Sequence, residues 1–323
     1  MKSNGLGERE IISLLTERFD FKPELPLGFD DDVAAFRLSR DRLVVLKTDM
    51  LVGSTDVPPG MSLKQAAQKA IVATVSDFAA KGVRPSGLLV SLGLVPPVKH
   101  ATVREIAAGL AVGAGKYGCR IIGGDTGEAE DFIIDCIGFG FAERSKILRR
   151  DGARPGDVVA VTGKFGKTSA GLRILLSKKH LSRRFPGLVN AVLHPEARLK
   201  TGLELARTGS ANSSIDSSDG LAWSLHEIAL LSKVNIVLEK IPIASDVEAF
   251  ARGAKLSADD LALFGGEEYE LVLTINKNKF DAVRRRIPSL IRIGLVKKGN
   301  GEVTREVGGR VIPVEPRGYQ HFR

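Results

Sequence analysis

Five groups of aspartate dominate the chemistry that this sequence can do. Asp49 lies inside the apolar run Leu43–Leu51, Asp125 follows two glycines at the end of a predicted strand, and Asp77 shares a helical face with Ala66, Ala70, Ala73 and Ala80. Asp30-Asp31-Asp32 precedes Val33-Ala34-Ala35-Phe36, and Asp216-Ser217-Ser218-Asp219-Gly220 leads into a predicted helix. Taken singly, an acidic turn or a helix cap accounts for Asp219 or for the Asp30 run. Taken together, carboxylates in apolar surroundings ask for cations, because an unpaired buried charge is strongly penalised. Hard oxygen donors without histidine or cysteine suit Mg²⁺, which keeps several waters and is commonly shared with substrate phosphates. The chemistry indicated is metal-assisted work on phosphate groups, which needs positioning and charge neutralisation and no covalent nucleophile.

Other motifs carry less. Gly163-Lys164-Phe165-Gly166-Lys167-Thr168 resembles a phosphate-cradling loop, yet that loop needs a glycine where Val161 stands. Gly113-Ala114-Gly115-Lys116-Tyr117-Gly118 spells the dinucleotide fingerprint, but it closes a helix that precedes a strand, the reverse of the order that aims amides at a pyrophosphate. The histidines (His100, His180, His194, His226 and His321) show no metal-ligand spacing, and Ser217-Ser218 lacks the glycines of a nucleophile elbow.

The elements that must position the acids read as α/β. Periodicity predicts a helix over 8–19, strands over 33–36 and 43–51, and a helix from Ser62, whose Gln65 completes a capping box, to Lys81 with Gly82 beyond it. Strands over 87–94, 120–122 and 132–141 and a helix over 102–117 complete a first set. The turn-rich segment 149–157 divides the chain into domains at 1–148 and 149–323. Beyond it the pattern predicts strands over 158–162, 235–238, 269–275, 291–296 and 311–314, and helices over 168–178, 196–208, 221–233 and 279–286. Short helices are predicted near 246–252 and 258–264.

With 323 residues, 43% of them apolar, the chain can fill about two ordinary cores. No apolar run is long enough to span a bilayer, and residues 1–19 mix charges with apolar residues, so secretion and membrane insertion are disfavoured. Cys119 and Cys136 read as buried thiols of a reducing compartment, and the expected location is the cytoplasm. The net charge of +9 permits anionic partners, but the basic residues form short scattered runs such as Lys178-Lys179 and Arg284-Arg285-Arg286, and aromatics are 6%. That favours solvated faces and one anion site over a nucleic-acid groove; a basic nucleic-acid-binding protein stays as a distant alternative, and no nucleic-acid or membrane partner is expected.

The chain resembles the thiamine-monophosphate kinases, a family of the aminoimidazole ribonucleotide synthetase-like superfamily. The likeness rests on Gly7-Glu8, Asp31-Asp32-Val33-Ala34-Ala35, Lys47-Thr48-Asp49-Met50, Val75-Ser76-Asp77-Phe78 with Gly82, and Ile122-Gly123-Gly124-Asp125-Thr126. Arg150-Asp151-Gly152, Ile215-Asp216-Ser217-Ser218-Asp219-Gly220, Gly265-Gly266-Glu267-Glu268-Tyr269-Glu270 and the closing Gly318-Tyr319-Gln320-His321-Phe322 extend it over nearly the whole chain. The resemblance implies a two-domain α/β fold, a homodimer formed through the N-terminal sheet domains, and ATP- and Mg²⁺-dependent phosphorylation of thiamine monophosphate to thiamine diphosphate. It implies several Mg²⁺ ions on Asp32, Thr48, Asp49, Asp77, Asp125, Asp216 and Asp219. ATP would touch Gly124, Asp125, Arg150 and Ser218, and the substrate Asp56, Glu267 and Tyr319. Asp30, Lys47, Asp56 and Glu268 depart from the family's usual glycine, small hydroxyl residue, histidine and aspartate. The alternative within the superfamily is another ATP-using member, aminoimidazole ribonucleotide synthetase-like or hydrogenase-maturation-like; a selenophosphate synthetase is expected to carry an early cysteine, and none precedes Cys119.

Overall fold

A computed structural model describes residues 5–19, 26–27, 30–177 and 182–322. Lys178, Lys179 and His180 lie outside the described residues. The chain builds two α/β units, each on its own sheet.

The first unit contains α1 (Glu8–Thr16), β1 (Ala34–Arg37), β2 (Arg42–Val52), the short α2 (Gly53–Asp56), α3 (Leu63–Lys81), β3 (Pro85–Leu94), α4 (His100–Lys116), β4 (Ile121–Glu128) and β5 (Ile133–Glu143). Its sheet runs β1-β2-β5-β3-β4, antiparallel except for the β3–β4 pair. The punctuation that predicted α3 is all present: Ser62 and Gln65 form the capping box, and Gly82 ends the helix at φ 65°, a left-handed conformation that costs a residue with a Cβ. Strand β4 continues through Gly123, Gly124 and Asp125 instead of stopping before them.

The second unit contains β6 (Val158–Val161), α5 (Lys167–Leu176), α6 (Pro186–Leu193), α7 (Leu199–Thr208), β7 (Ala211–Asp216), α8 (Leu221–Ser232), β8 (Val234–Leu238), α9 (Ser245–Ala254), α10 (Ala258–Phe264), β9 (Leu271–Ile275), α11 (Lys277–Arg286), β10 (Ile291–Lys298), β11 (Val303–Val307) and β12 (Arg310–Pro313). Its sheet runs β12-β11-β8-β10-β6-β9-β7, with only β11–β8 parallel among the described pairs. The predicted helix over 196–208 begins later, at Leu199, because residues 195–198 are drawn out: the Ala197 amide donates to the Tyr117 hydroxyl at 2.8 Å, and Arg198 reaches Glu270. Strands β7 and β11 and helix α6 were not predicted. The strand expected from Tyr269 starts only at Leu271, since Glu267 and Tyr269 hold φ of 63° and 51°.

Helix α3 joins the two units. It packs on β2 and β5 on one side, on α4, and on β7 and α7 of the second unit. The approach of α7 is so close that a Cβ on Gly202 would fall 1.9 Å from the Ala79 carbonyl oxygen. One apolar cluster therefore runs from Leu51 and Ala66 through Ala79 and Leu205 to Leu271 and Leu290, so burial in one unit stabilises the other.

Candidate functional site

Strand alternation sorts the acidic residues of the first sheet by face. Lys47, Asp49 and Leu51 of β2 line the cleft on the α3 side. Thr48 is exposed, and its hydroxyl donates to Asp135 Oδ1 at 2.7 Å across the opposite face. Asp125 occupies the row that runs Met50, Asp135, Ser91, Asp125 across the sheet, also on that outer face. Three strand spacings separate it from β2, about 14 Å. The structure thus does not bring Thr48 and Asp125 to the other predicted acids within one chain. Gly124 lies beside Val90 on the same edge strand, too near the Val90 carbonyl for any side chain.

The remaining predicted residues converge. A cleft of about 370 Å³ between the units is lined by Asp32, Asp49, Asp56, Asp77, Arg150, Asp216, Ser218, Asp219, Glu267 and Tyr319, with Glu8, Lys47, Lys69, Tyr269 and His321. At its centre one oxygen from each of Asp32, Asp77 and Asp216 lies within 4.8 Å of the others. The three come from the loop before β1, the α3 interior and the end of β7. Ser76, beside Asp77 on α3, donates to Asp216 Oδ2 at 2.7 Å.

Among the described residues Lys81, Arg150, Lys69 and Lys47 form ion pairs with acids of the cleft. Lys81, fully buried at the end of α3, pairs with Asp31, lies 2.7 Å from Asp32 Oδ2 and donates to the Ser214 carbonyl at 2.9 Å. Arg150 pairs with the other oxygen of Asp32 and lies 3.4 Å from Glu227. Lys69, buried, holds Glu267 at 2.5 Å and donates to the Asp56 carbonyl oxygen at 2.8 Å. Lys47 lies 2.9 Å from Asp77 Oδ2 and 3.4 Å from Asp49 Oδ1. Sequence reasoning missed Lys69 and Lys81. The signal was present: 69, 73, 77 and 81 fall at steps of four, on one stripe of an alanine-rich helix.

Electrostatics divides the cluster. Burial pushes the Asp32 carboxyl up, but Arg150 and Lys81 together hold it below the ordinary carboxylate value. Asp77 goes well above it through burial and the nearby Asp49, Asp216 and Asp32, with Lys47 only partly offsetting them. Burial and Asp32 push Asp216 up to about 7, and burial and Glu8 push Asp219 up to about 6. Lys47 is burdened by burial, yet Asp49 and Asp77 raise it above an ordinary lysine. Carboxylates crowded this way want a divalent cation. The donor set fits Mg²⁺: it is all oxygen, it converges, and Asp49 Oδ2 is buried without a hydrogen-bond partner.

The other predicted contacts sit at the mouth. The Asp56 carboxylate accepts the Val52 amide at 2.7 Å, closing the α2 turn. The left-handed residues Glu267 and Tyr269 let their amides donate to the Ser218 and Ser217 carbonyl oxygens at 2.6 and 3.1 Å, which presses that loop onto the Asp216–Asp219 turn. Tyr319, 44% exposed, is held by its amide on the Asp219 carbonyl and meets His321 edge to face, while the His321 amide donates to Glu8.

Residues 30–142 match the AIR synthase related protein, N-terminal domain, family. The chain is 39% identical to the thiamine-monophosphate kinase of Nitrosopumilus maritimus (strain SCM1), over 98% of this chain and 99% of the relative. It is 36% identical to the thiamine-monophosphate kinase of Pyrococcus horikoshii, over 98% of this chain and 97% of the relative. The solved structure of AaThiL complexed with AMPPCP and TMP is 30% identical and superimposes with a TM-score of 0.87, covering 100% of this chain and 99% of that one.

Proposed function

The chain belongs to the thiamine-monophosphate kinase family, and on that premise we propose that its cleft transfers the γ-phosphoryl group of ATP to the phosphate of thiamine monophosphate, releasing ADP and thiamine diphosphate. A phosphate oxygen of thiamine monophosphate forms the new bond to the γ-phosphorus as the bond to the ADP oxygen breaks. The observation that carries this reading is the Asp32–Asp77–Asp216 oxygen cluster at the seam of the two units. Those three, with Asp49 and Asp219, would hold Mg²⁺, which when bound neutralises charge on the phosphate oxygens. The chain's own part is placement. Lys81 and Arg150 hold Asp32 ionised, Ser76 fixes Asp216, and Lys69 ties Glu267 to the α2 turn.

We assign Arg150 and Ser218 to ATP, and Asp56, Glu267 and Tyr319 to the thiamine side, where the exposed Tyr319 ring offers a stacking face. Domain limits of 1–148 and 149–323 go with this reading, since the strands of each sheet fall wholly on one side of that division. We also propose a homodimer. The outer face of the first sheet exposes Phe36, Met50, Leu89, Ile122 and Phe141, an apolar surface suited to a second copy. Thr48, Asp125 and Gly124 stay in the proposal as metal and nucleotide contacts completed by that second copy. Among the described residues no helix is long and apolar enough to cross a membrane, and the two cysteines are buried free thiols; we place the enzyme in the cytoplasm.

Purified protein incubated with ATP, Mg²⁺ and thiamine monophosphate is expected to form thiamine diphosphate with no phosphorylated protein species. A protein that consumes no thiamine monophosphate, or that traps as a phosphoenzyme, overturns the reading.

A further inference from the structure

Lys47 differs from the other cleft cations in what it holds. Lys81 and Arg150 bind Asp32 and also reach the Ser214 carbonyl or Glu227, and Lys69 joins Glu267 to the α2 turn, so each fastens separate elements together. Among the described residues the Lys47 ammonium forms ion pairs with two carboxylates, Asp49 Oδ1 at 3.4 Å and Asp77 Oδ2 at 2.9 Å. Among the described residues it is the cation within ion-pair distance of either acid. Asp77 belongs to the central oxygen cluster, so the ammonium sits at the edge of that cluster, between Asp77 and Asp49. It divides Asp49: one oxygen faces Lys47, while Oδ2 is buried without a hydrogen-bond partner.

We propose that the Lys47 ammonium is a tethered replacement for one divalent cation, filling the Asp49–Asp77 position so that the cleft takes up one metal ion fewer than its carboxylates could otherwise hold. The inference rests on the reading of the cleft as a Mg²⁺–nucleotide site. A cation on a β2 side chain pays no translational entropy to be there, and like charge keeps a second ion from the same two oxygens. Asp49 Oδ2 and Asp216, which has no ion pair among the described residues, remain for the ions that do bind. Lys47 is on this account a positioning residue that sets metal number.

The test counts ions. Mn²⁺ bound per chain in the presence of AMPPCP is read from the loss of the free-ion paramagnetic resonance signal, for wild type, Lys47→Ser and Lys47→Arg. Lys47→Ser is expected to bind one more Mn²⁺ than wild type and Lys47→Arg the same number. If Lys47→Ser does not fold, Lys47→Gln, closer in volume, answers by the same count. Equal counts in wild type and the folded neutral variant overturn the proposal. Wild type that binds no Mn²⁺ overturns the metal reading of the cleft and this inference with it; wild type that binds Mn²⁺ with unchanged counts overturns this inference alone.

Discussion

The Ser76 hydroxyl on α3 donates a 2.7 Å hydrogen bond to Asp216 Oδ2 at the end of β7, so one carboxylate of the central cluster is aimed by the opposite unit. Both residues are buried, and this bond lowers an Asp216 pKa that burial otherwise raises. Ser76→Ala is therefore expected to weaken Mg²⁺ activation about tenfold, the equivalent of ~1.4 kcal/mol. A Mg²⁺ titration of turnover, alongside thermal melts, checks it; an unchanged activation constant would leave Ser76 a packing residue.

Asp216 tests whether the site trades stability for function. It is buried and near Asp32 with no ion pair of its own among the described residues, so neutralising it removes a repulsion without leaving a hole. Asp216→Asn is expected to lose at least ~100-fold in kcat while melting at or above the wild-type temperature in chelator. A lower melting temperature with retained activity would contradict both parts.

Much of the fold was legible where local chemistry decides it. The Ser62–Gln65 box and Gly82 bound α3 in sequence as they do in space. Strand β7 was not legible, because Ala211–Asp216 is polar and its burial depends on distant partners: Ser213 shares a hydroxyl contact of 2.8 Å with Thr274, and Lys81 meets the Ser214 carbonyl. At the site, residue types revealed the acids but not their faces. Thr48 and Asp49 are neighbours in sequence and point to opposite sides of β2, and the pairing of Lys69 with Glu267 spans a separation that no local pattern reports.

Metal-free stability should fall as pH rises. Asp216 and Glu268 are pushed up to about 7 and Asp219 to about 6, each mainly by burial, above their ordinary values near 4. Between those values the folded state holds protons that the unfolded state has lost, so these groups stabilise the fold at low pH and cease to as pH passes their folded values. Burial lowers His226, which opposes the trend below its ordinary value of 6.5. In chelator the melting temperature is thus expected to drop by a few degrees from pH 6 to pH 8, and saturating Mg²⁺ should flatten the share due to Asp216 and Asp219. A melting temperature that climbs over this interval in chelator would refute the burial argument.

Tyr319 separates substrate binding from folding. Its ring is 44% exposed at the cleft mouth, and its anchoring bond to the Asp219 carbonyl runs through the backbone amide, which any residue supplies. Tyr319→Ala is expected to raise KM for thiamine monophosphate about tenfold, that for ATP far less, and to leave the melting temperature nearly unchanged. Equal rises in both KM values, or a large stability loss, would return Tyr319 to a packing role.

The outer face of the first sheet carries the last prediction. Met50 is 64% exposed and Ile122 59%, and the opposite face of the Met50 strand and of its neighbour β5 is packed by α3. Such apolar area on a regular sheet is what a second copy covers, and Met50 neighbours Asp135 in the row that ends at Asp125. Light scattering is expected to give twice the chain mass of 34.6 kDa. Phe141→Asp places an unpaired charge on that face at a residue that does not line the cleft, so it should yield folded monomers. If Asp125 acts within the dimer, the monomers should also lose turnover while each chain keeps the Asp32–Asp77–Asp216 cluster. Active monomers would confine the chemistry to a single chain's cleft and remove Thr48 and Asp125 from it.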